Sequence, residues 1–418
     1  MYQHVRPGLV AHAYDEAALD TLVGSIAIGH NRYSTSGGSF AHHGQPIMLD
    51  NLALAHNGNL HLTAKLAAFL TAHDVPIEGL NDSALMAAAV SYHMTQGLSL
   101  AEAVTQAYPL FTGAFSVVAM DKTQIVAFRD HCGIRPLSIG RLADGVVVSS
   151  ETCALDMIGA AFWRDVKPGE MVVIDSGGVR SKQLAKPNPK LDIFEFIYFA
   201  RPDSMLLGRS VNQVRRAMGM QLAREYPLMA DVVIPVPDSA IPAAIGYAHE
   251  LGIPFDHGLI KNRYIHRTFI QPAQSLRDRS VEMKLNPLPE ALIGRDVIVI
   301  DDSIVRGTTT KRIVRMLYGA GASKVHVLIS SPPVKFPDFY GIDTPRPQDL
   351  LAARMNMAQM QEYIGADSLG FLSHEGMISA TGLPESLFST SCFTGVYPIP
   401  ITEVSAKPSP ARHHSRIA

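Results

Sequence analysis

The chain has 418 residues, 47% of them hydrophobic, and a formal net charge of −2 at pH 7. That length accommodates two cores. The near-neutral balance argues against a basic nucleic-acid surface, and no apolar run is long enough to span a bilayer.

No charged segment followed by an apolar stretch opens the chain, so no signal peptide is expected. Cys132, Cys153 and Cys392 are far apart and form no CxxC pair, which argues against a disulfide framework or a zinc site and fits a reducing cytoplasm. Up to about residue 190, short apolar runs alternate with polar ones: "SIAIG" (25–29), "LALAH" (52–56), "AFSVVAM" (114–120), "QIVAF" (124–128), "VVVSS" (146–150) and "MVVID" (171–175). Two helical patches interrupt them, at 60–73 and 83–94. This order predicts antiparallel sheets packed with helices. The polar stretch 176–190, with Gly and Pro, reads as a linker.

From about residue 191 the pattern changes. "DVVIPV" (231–236) precedes a helical patch at 239–252, and "DVIVIDDS" (296–303) precedes another at 308–321, followed by "KVHVLISS" (324–331). Continuous apolar strands alternating with helices predict a parallel sheet covered on both faces. The last residues, "SAKPSPARHHSRIA" (405–418), have almost no core formers and are expected to be disordered.

The stretch "VIVIDDSIVRGTTT" (297–310) ends a buried strand on two carboxylates and opens a helix with a glycine and three threonines. In an open α/β sheet, ligands bind beyond the carboxyl ends of the strands. A helix N-terminus suits a phosphate, and adjacent carboxylates suit sugar hydroxyls or a magnesium ion. The alternative is an ordinary loop with a threonine cap. No GxxxxGK pattern precedes the helix, so a P-loop is not indicated.

This stretch resembles the 5-phosphoribosyl-1-pyrophosphate (PRPP) loop of type I phosphoribosyltransferases. In detail the chain resembles glutamine PRPP amidotransferases, the amidophosphoribosyltransferase family. "EFIYFARPDS" (195–204), "PVPDSAIPAAIGYA" (235–248), "GLIKNRYIHRTFIQPAQSLR" (258–277) and "ISSPPVKFPDFYGID" (329–343) carry the same likeness. The resemblance implies that Asp301 and Asp302 hold the ribose hydroxyls and Mg2+, with Ser239 near the ion. Ser303, Arg306, Gly307, Thr308 and Thr309 would surround the 5-phosphate. Lys261, Arg263 and Tyr264 would lie in a flexible loop that closes over PRPP, and Lys261, Arg263, Arg267 and Arg277 supply cations for a pyrophosphate leaving group.

For the first half the resemblance implies an N-terminal-nucleophile glutaminase. "GHNRYST" (29–35), "AHNGNL" (55–60) and "NDSALM" (81–86) match its glutamine pocket. Arg32 and Thr35 would bind the glutamine, with Arg32 on its α-carboxylate; Asp82 would take the α-ammonium group. Asn57 and the Gly58 N–H would form the oxyanion hole. Taken singly, Asn57-Gly58 is also a common turn pair, and Asp82 a possible helix cap. The family nucleophile is an N-terminal cysteine. This chain opens "MYQHVRPGLV", so the expectation is that the segment carrying that cysteine is missing and that glutamine is not hydrolysed. Some members carry a [4Fe–4S] cluster held by four cysteines. The matching positions here are Asp192, Asp338, Ser389 and Cys392, and no cluster is expected.

The expected architecture is α/β. An incomplete α+β glutaminase domain at 1–190 is followed by a phosphoribosyltransferase domain with a mainly parallel sheet at 191–400 and a tail at 401–418. The expected reaction replaces the pyrophosphate of PRPP by ammonia, giving 5-phosphoribosylamine. Purine nucleotides as feedback inhibitors and a homo-oligomer follow from the resemblance; nucleic acid and membrane do not. Two competing readings are a non-catalytic PRPP sensor and a phosphoribosyltransferase acting on a free base. The basic loop argues against the first and the glutamine pocket against the second.

Overall fold

The computed structural model describes residues 1–31, 44–262, 284–341 and 346–401. Strands of the first half are β1 (Ile47–Leu49), β2 (Leu52–Leu62), β3 (Thr112–Met120), β4 (Gln124–Arg129), β5 (Ser138–Leu142), β6 (Gly145–Ser149), β7 (Ala161–Asp165), β8 (Glu170–Asp175) and β9 (Gly178–Gln183). Six form an antiparallel sheet in the order β1-β2-β3-β4-β8-β9, and three form a second sheet in the order β6-β5-β7.

Side chains alternate across a strand, so each sheet face has its own core. Val117, Val126 and Val173 pack on Leu66, Leu70, Met86, Val90 and Val104 of helices α1 (Ala64–Ala72), α2 (Asp82–Thr95) and α3 (Leu100–Ala107). Their neighbours Val118, Ala127 and Val172 face the second sheet through Ile139, Val146 and Val166. Asn81 caps α2, its side chain accepting the Ala84 N–H at 2.8 Å. Ser99 and Glu102 form a capping box on α3.

In the second half, β10 (Val232–Pro235), β11 (Asp296–Asp301), β12 (Lys324–Ile329) and β13 (Ser368–Phe371) lie side by side, all parallel. Val297 and Val299 pack toward α6 (Thr308–Gly319) and α7 (Met357–Ile364). Ile298 and Ile300 pack toward α4 (Val211–Glu225), α5 (Ile241–Leu251) and α8 (His374–Thr381). With both faces covered, the strands have no polar side, which accounts for their unbroken apolar runs. No helix among the described residues is long and apolar enough to cross a membrane.

Three sequence expectations are corrected. Residues 25–29 alternate as a strand would but pair with no strand among the described residues. The helix expected at 60–73 begins only at Ala64, because β2 runs on to Leu62. The polar stretch read as a linker contains β9, an edge strand whose exposed positions are polar. Residues 402–418, within the expected tail, lie outside the described residues.

The two halves are joined by specific contacts. Arg135 Nη1 donates to Glu195 Oε1 at 2.8 Å. The Glu151 carboxylate accepts from the Arg201 N–H at 2.8 Å and the Ser204 hydroxyl at 2.7 Å. Ala114, Cys132 and Ile134 share an apolar cluster with Tyr340 and Ile399.

Candidate active sites

β11 delivers Asp301 and Asp302 to the sheet's carboxyl edge, 8% and 7% exposed. Their backbone is fixed by β12 and its continuation: the Ser330 N–H reaches the Asp301 carbonyl at 2.9 Å and the Ser331 hydroxyl the Asp302 carbonyl at 2.7 Å. The Asp302 carboxylate accepts the Ser239 hydroxyl at 2.5 Å and the Ser303 hydroxyl at 2.7 Å. Burial pushes both carboxyls above the usual range, and the charge of Asp302 pushes Asp301 further. For Asp302 the hydroxyls of Ser239 and Ser303 and the charge of Arg215 act the other way. Two buried acids side by side, with hydroxyl oxygens beside them, form a hard oxygen donor set whose repulsion a divalent cation would relieve. Mg2+ therefore fits Asp301, Asp302 and Ser239.

Sequence reading missed Arg215. It is 3% exposed, donating to the Phe196 and Ala200 carbonyls at 2.7 and 2.8 Å. The signal was present: it lies on the Val211, Val214, Met218, Leu222 face of α4, where a charged residue needs a reason.

The loop after Asp302 is anchored by buried Ile304 and half-buried Val305. Gly307 takes φ +74° at the N-cap of α6. A Cβ there would sit 2.6 Å from Leu351 Cδ2, so the position suits glycine alone. No side chain among the described residues caps this helix. Its first turn, with Thr308 and Thr309 exposed, is left open to an anion. Arg306 sits 3.7 Å from Asp349, which also pairs with Arg346 at 3.0 Å. Lys261 Nζ lies 2.5 Å from the carboxylate of Asp238, next to Ser239. Arg263, Tyr264, Arg267 and Arg277 lie outside the described residues.

In the first half, Asn57 and Gly58 lie within β2, opposite Ser116 and Phe115 of β3, not in a turn. Gly58 has φ +139°, and a Cβ there would be 2.1 Å from the Ala114 carbonyl oxygen. Asp82 is not the cap of α2, a role taken by Asn81. Instead it accepts the Leu60 N–H at 3.1 Å, with its side chain 23% exposed. His56, also missed, is buried between them. Its Nδ1 is 3.1 Å from Ser83 Oγ and 3.8 Å from Asp82 Oδ2, and its Nε2 is 3.3 Å from the Ala114 carbonyl. Burial lowers its pKa, with the Asp82 charge opposing. Arg32 and Thr35 lie outside the described residues. All three cysteines are buried. Burial pushes the Cys132 thiol up to about 12 and raises those of Cys153 and Cys392.

Asp192 and Ser389 are partners in a two-residue parallel ladder, with Asp338 and Cys392 also buried. Two carboxyls, a hydroxyl and one thiol are not the four thiolates a [4Fe–4S] cluster requires, so a cluster does not fit. Arg135 occupies this region instead, 3.8 Å from Asp192 and with its guanidinium 4.5 Å from the Phe199 ring centroid. Burial, then the Asp338 charge, raises the Asp192 carboxyl to about 8.

Comparison with known proteins matches residues 30–157 to a glutamine amidotransferase domain and residues 208–333 to a phosphoribosyl transferase domain. The amidophosphoribosyltransferase of Mycobacterium tuberculosis is 47% identical over 414 residues, covering 96% of this chain and 78% of that protein. That of Synechococcus elongatus is 47% identical over 409 residues, covering 96% and 83%. Among solved structures, glutamine PRPP amidotransferase from B. subtilis, complexed with ADP and GMP, superposes with a TM-score of 0.87. It is 41% identical, with 95% of this chain and 88% of that chain covered.

Proposed function

The chain belongs to the amidophosphoribosyltransferase family, and from that premise we propose how its residues divide the work. Its reaction is the replacement of the pyrophosphate of PRPP by ammonia, giving 5-phosphoribosylamine, the first committed step of purine synthesis. The observation that carries the assignment is the buried pair Asp301 and Asp302, with Asp302 accepting from the hydroxyls of Ser239 and Ser303, beside the N-terminus of α6 that no side chain caps.

Asp301 and Asp302 bind the ribose hydroxyls. The first turn of α6, with Ser303, Arg306, Gly307, Thr308 and Thr309, receives the 5-phosphate. Lys261, Arg263 and Tyr264 bind PRPP, and the two cations stabilise the charge of the pyrophosphate as it leaves. Mg2+ held by Asp301, Asp302 and Ser239 would supply further charge neutralisation at the diphosphate. In the first half, Asn57 and the Gly58 N–H form the oxyanion hole, and Arg32, Thr35 and Asp82 hold glutamine. None of the three cysteines in these 418 residues is a thiolate candidate, because burial holds each as a thiol. Purine nucleotides act as feedback ligands, a reading supported by the ADP and GMP bound to the B. subtilis protein. The enzyme works in the cytoplasm as a homo-oligomer.

The test is pyrophosphate release from Mg–PRPP with ammonium chloride at alkaline pH or glutamine at neutral pH. Release with ammonia is expected, and its absence would overturn the assignment of the transferase half. Glutamine-driven release, with glutamate appearing in step, would support the assignment of the first half, and failure of glutamine to bind at all would overturn it.

A further inference from the structure

The sheet alone does not set the direction of the Gly58 N–H. Gly58 leaves the extended region at φ +139°, and the β2–β3 register shifts between Asn59 and Leu62. Gly58 still pairs with Phe115, but the regular ladder ends just beyond it, so the strand that carries the oxyanion donor relies on further anchors. From within the first half come His56, bonded to Ser83 and the Ala114 carbonyl, and Asp82, bonded to the Leu60 N–H. From the other half comes one more: Asn59 Nδ2 donates to the Phe339 carbonyl at 2.7 Å.

Phe339 ends a segment that starts at the other site. Ser330 and Ser331 hold the Asp301 and Asp302 carbonyls, and the chain then runs without helix or strand to Gly341. It is stiff. Pro332, Pro333 and Pro337 fix φ along it. The Lys335 and Phe336 N–H groups both donate to the Cys392 carbonyl, at 2.9 and 3.0 Å. The Tyr397 hydroxyl donates to the Pro337 carbonyl at 2.8 Å. Tyr340 is fully buried, its hydroxyl donating to the Ile399 carbonyl at 2.9 Å.

We propose that Asn59 is a positioning residue, through which the 330–341 segment of the transferase half aims the Gly58 N–H and ties it to the PRPP carboxylates. The inference rests on the oxyanion assignment of Asn57 and Gly58. Asn59 touches no substrate atom in this account; it acts through β2.

Hydrogen exchange on the full chain tests it, with Mg–PRPP affinity measured in parallel by calorimetry. Without ligand, N59A should raise exchange of the amides at 57–60 several-fold and leave those at 117–126 unchanged. N59Q, which keeps an amide donor, should restore part of the protection. With Mg–PRPP the parent should gain protection at 57–60. N59A should bind Mg–PRPP within twofold of the parent yet gain none. Unchanged exchange at 57–60 in ligand-free N59A, or the same PRPP-induced protection in N59A as in the parent, overturns the proposal. Failure of the parent to bind Mg–PRPP would instead overturn the assignment of the transferase pocket, and the ligand-free comparison would still decide the role of Asn59.

Discussion

Replacing Asp301 by Asn removes one of two adjacent buried carboxylates without deleting a hydrogen bond. The Asp302 N–H that donates to Asp301 Oδ1 at 2.9 Å can donate to the amide oxygen equally well. What disappears is a buried charge that burial and Asp302 both disfavour. Relief of such a charge is worth about 1–3 kcal/mol. The ligand-free D301N protein should therefore be more stable than the parent. The raised carboxyl of Asp301 loses its stabilising proton as pH rises, whereas the amide has none to lose, so the gain should grow with pH. Binding should move the other way. A charged contact to ligand is worth about 1.5–3 kcal/mol, so the Kd for Mg–PRPP should rise roughly 10- to 150-fold. Urea unfolding and calorimetry on one preparation measure both. Opposite signs mark a residue kept for its ligand at the expense of the fold. A variant less stable than the parent, with Mg–PRPP affinity unchanged, would refute the reasoning and make Asp301 a structural residue.

Gly307→Ala forces a side chain into the left-handed region, costing about 1–2 kcal/mol, and drives its Cβ toward Leu351; lower stability and a raised KM for PRPP are expected, read by urea unfolding and steady-state kinetics. Tyr340→Phe removes a hydroxyl that donates to the Ile399 carbonyl and accepts the Ile399 N–H at 3.1 Å, and should cost about 1–3 kcal/mol in urea unfolding. Asp192 has its carboxyl raised to about 8 by burial and by Asp338, so the fold holds a proton that the unfolded chain releases near pH 4. Its stabilising contribution is complete below that pH and is lost as pH rises to about 8. Asp192→Asn should flatten this part of the pH–stability profile, and melting curves at pH 6, 7 and 8 that shift in parallel with the parent would contradict it.

The transferase half was the more legible in sequence, and the reason is physical. A parallel strand buried on both faces writes an unbroken apolar run, as in "VIVI" before Asp301, and its functional end is marked by the first charge. The proposed glutamine pocket was legible only by resemblance. Asn57-Gly58 reads locally as a turn, yet β3 pairs with it and makes it a strand. Edge strand β9 was hidden because an exposed edge is as polar as a linker. His56, Asn59 and Arg135 were missed because each acts through partners distant in sequence, whereas Arg215 carried a local signal, a charge on the apolar face of α4. Asn59 and Phe339 are separated by 280 positions, and no spacing rule reaches that far.

The central claim is that the Asp301–Asp302 site exchanges the pyrophosphate of PRPP for ammonia. Its most direct measurement is pyrophosphate release from Mg–PRPP by the purified chain, with ammonium, adenine or hypoxanthine as the only nucleophile added, in the parent and in the D301N/D302N variant. Release with ammonium alone, lost in the double variant while its fold is retained, is the predicted result. Release driven by a free base in place of ammonium, or undiminished release in the double variant, would contradict it.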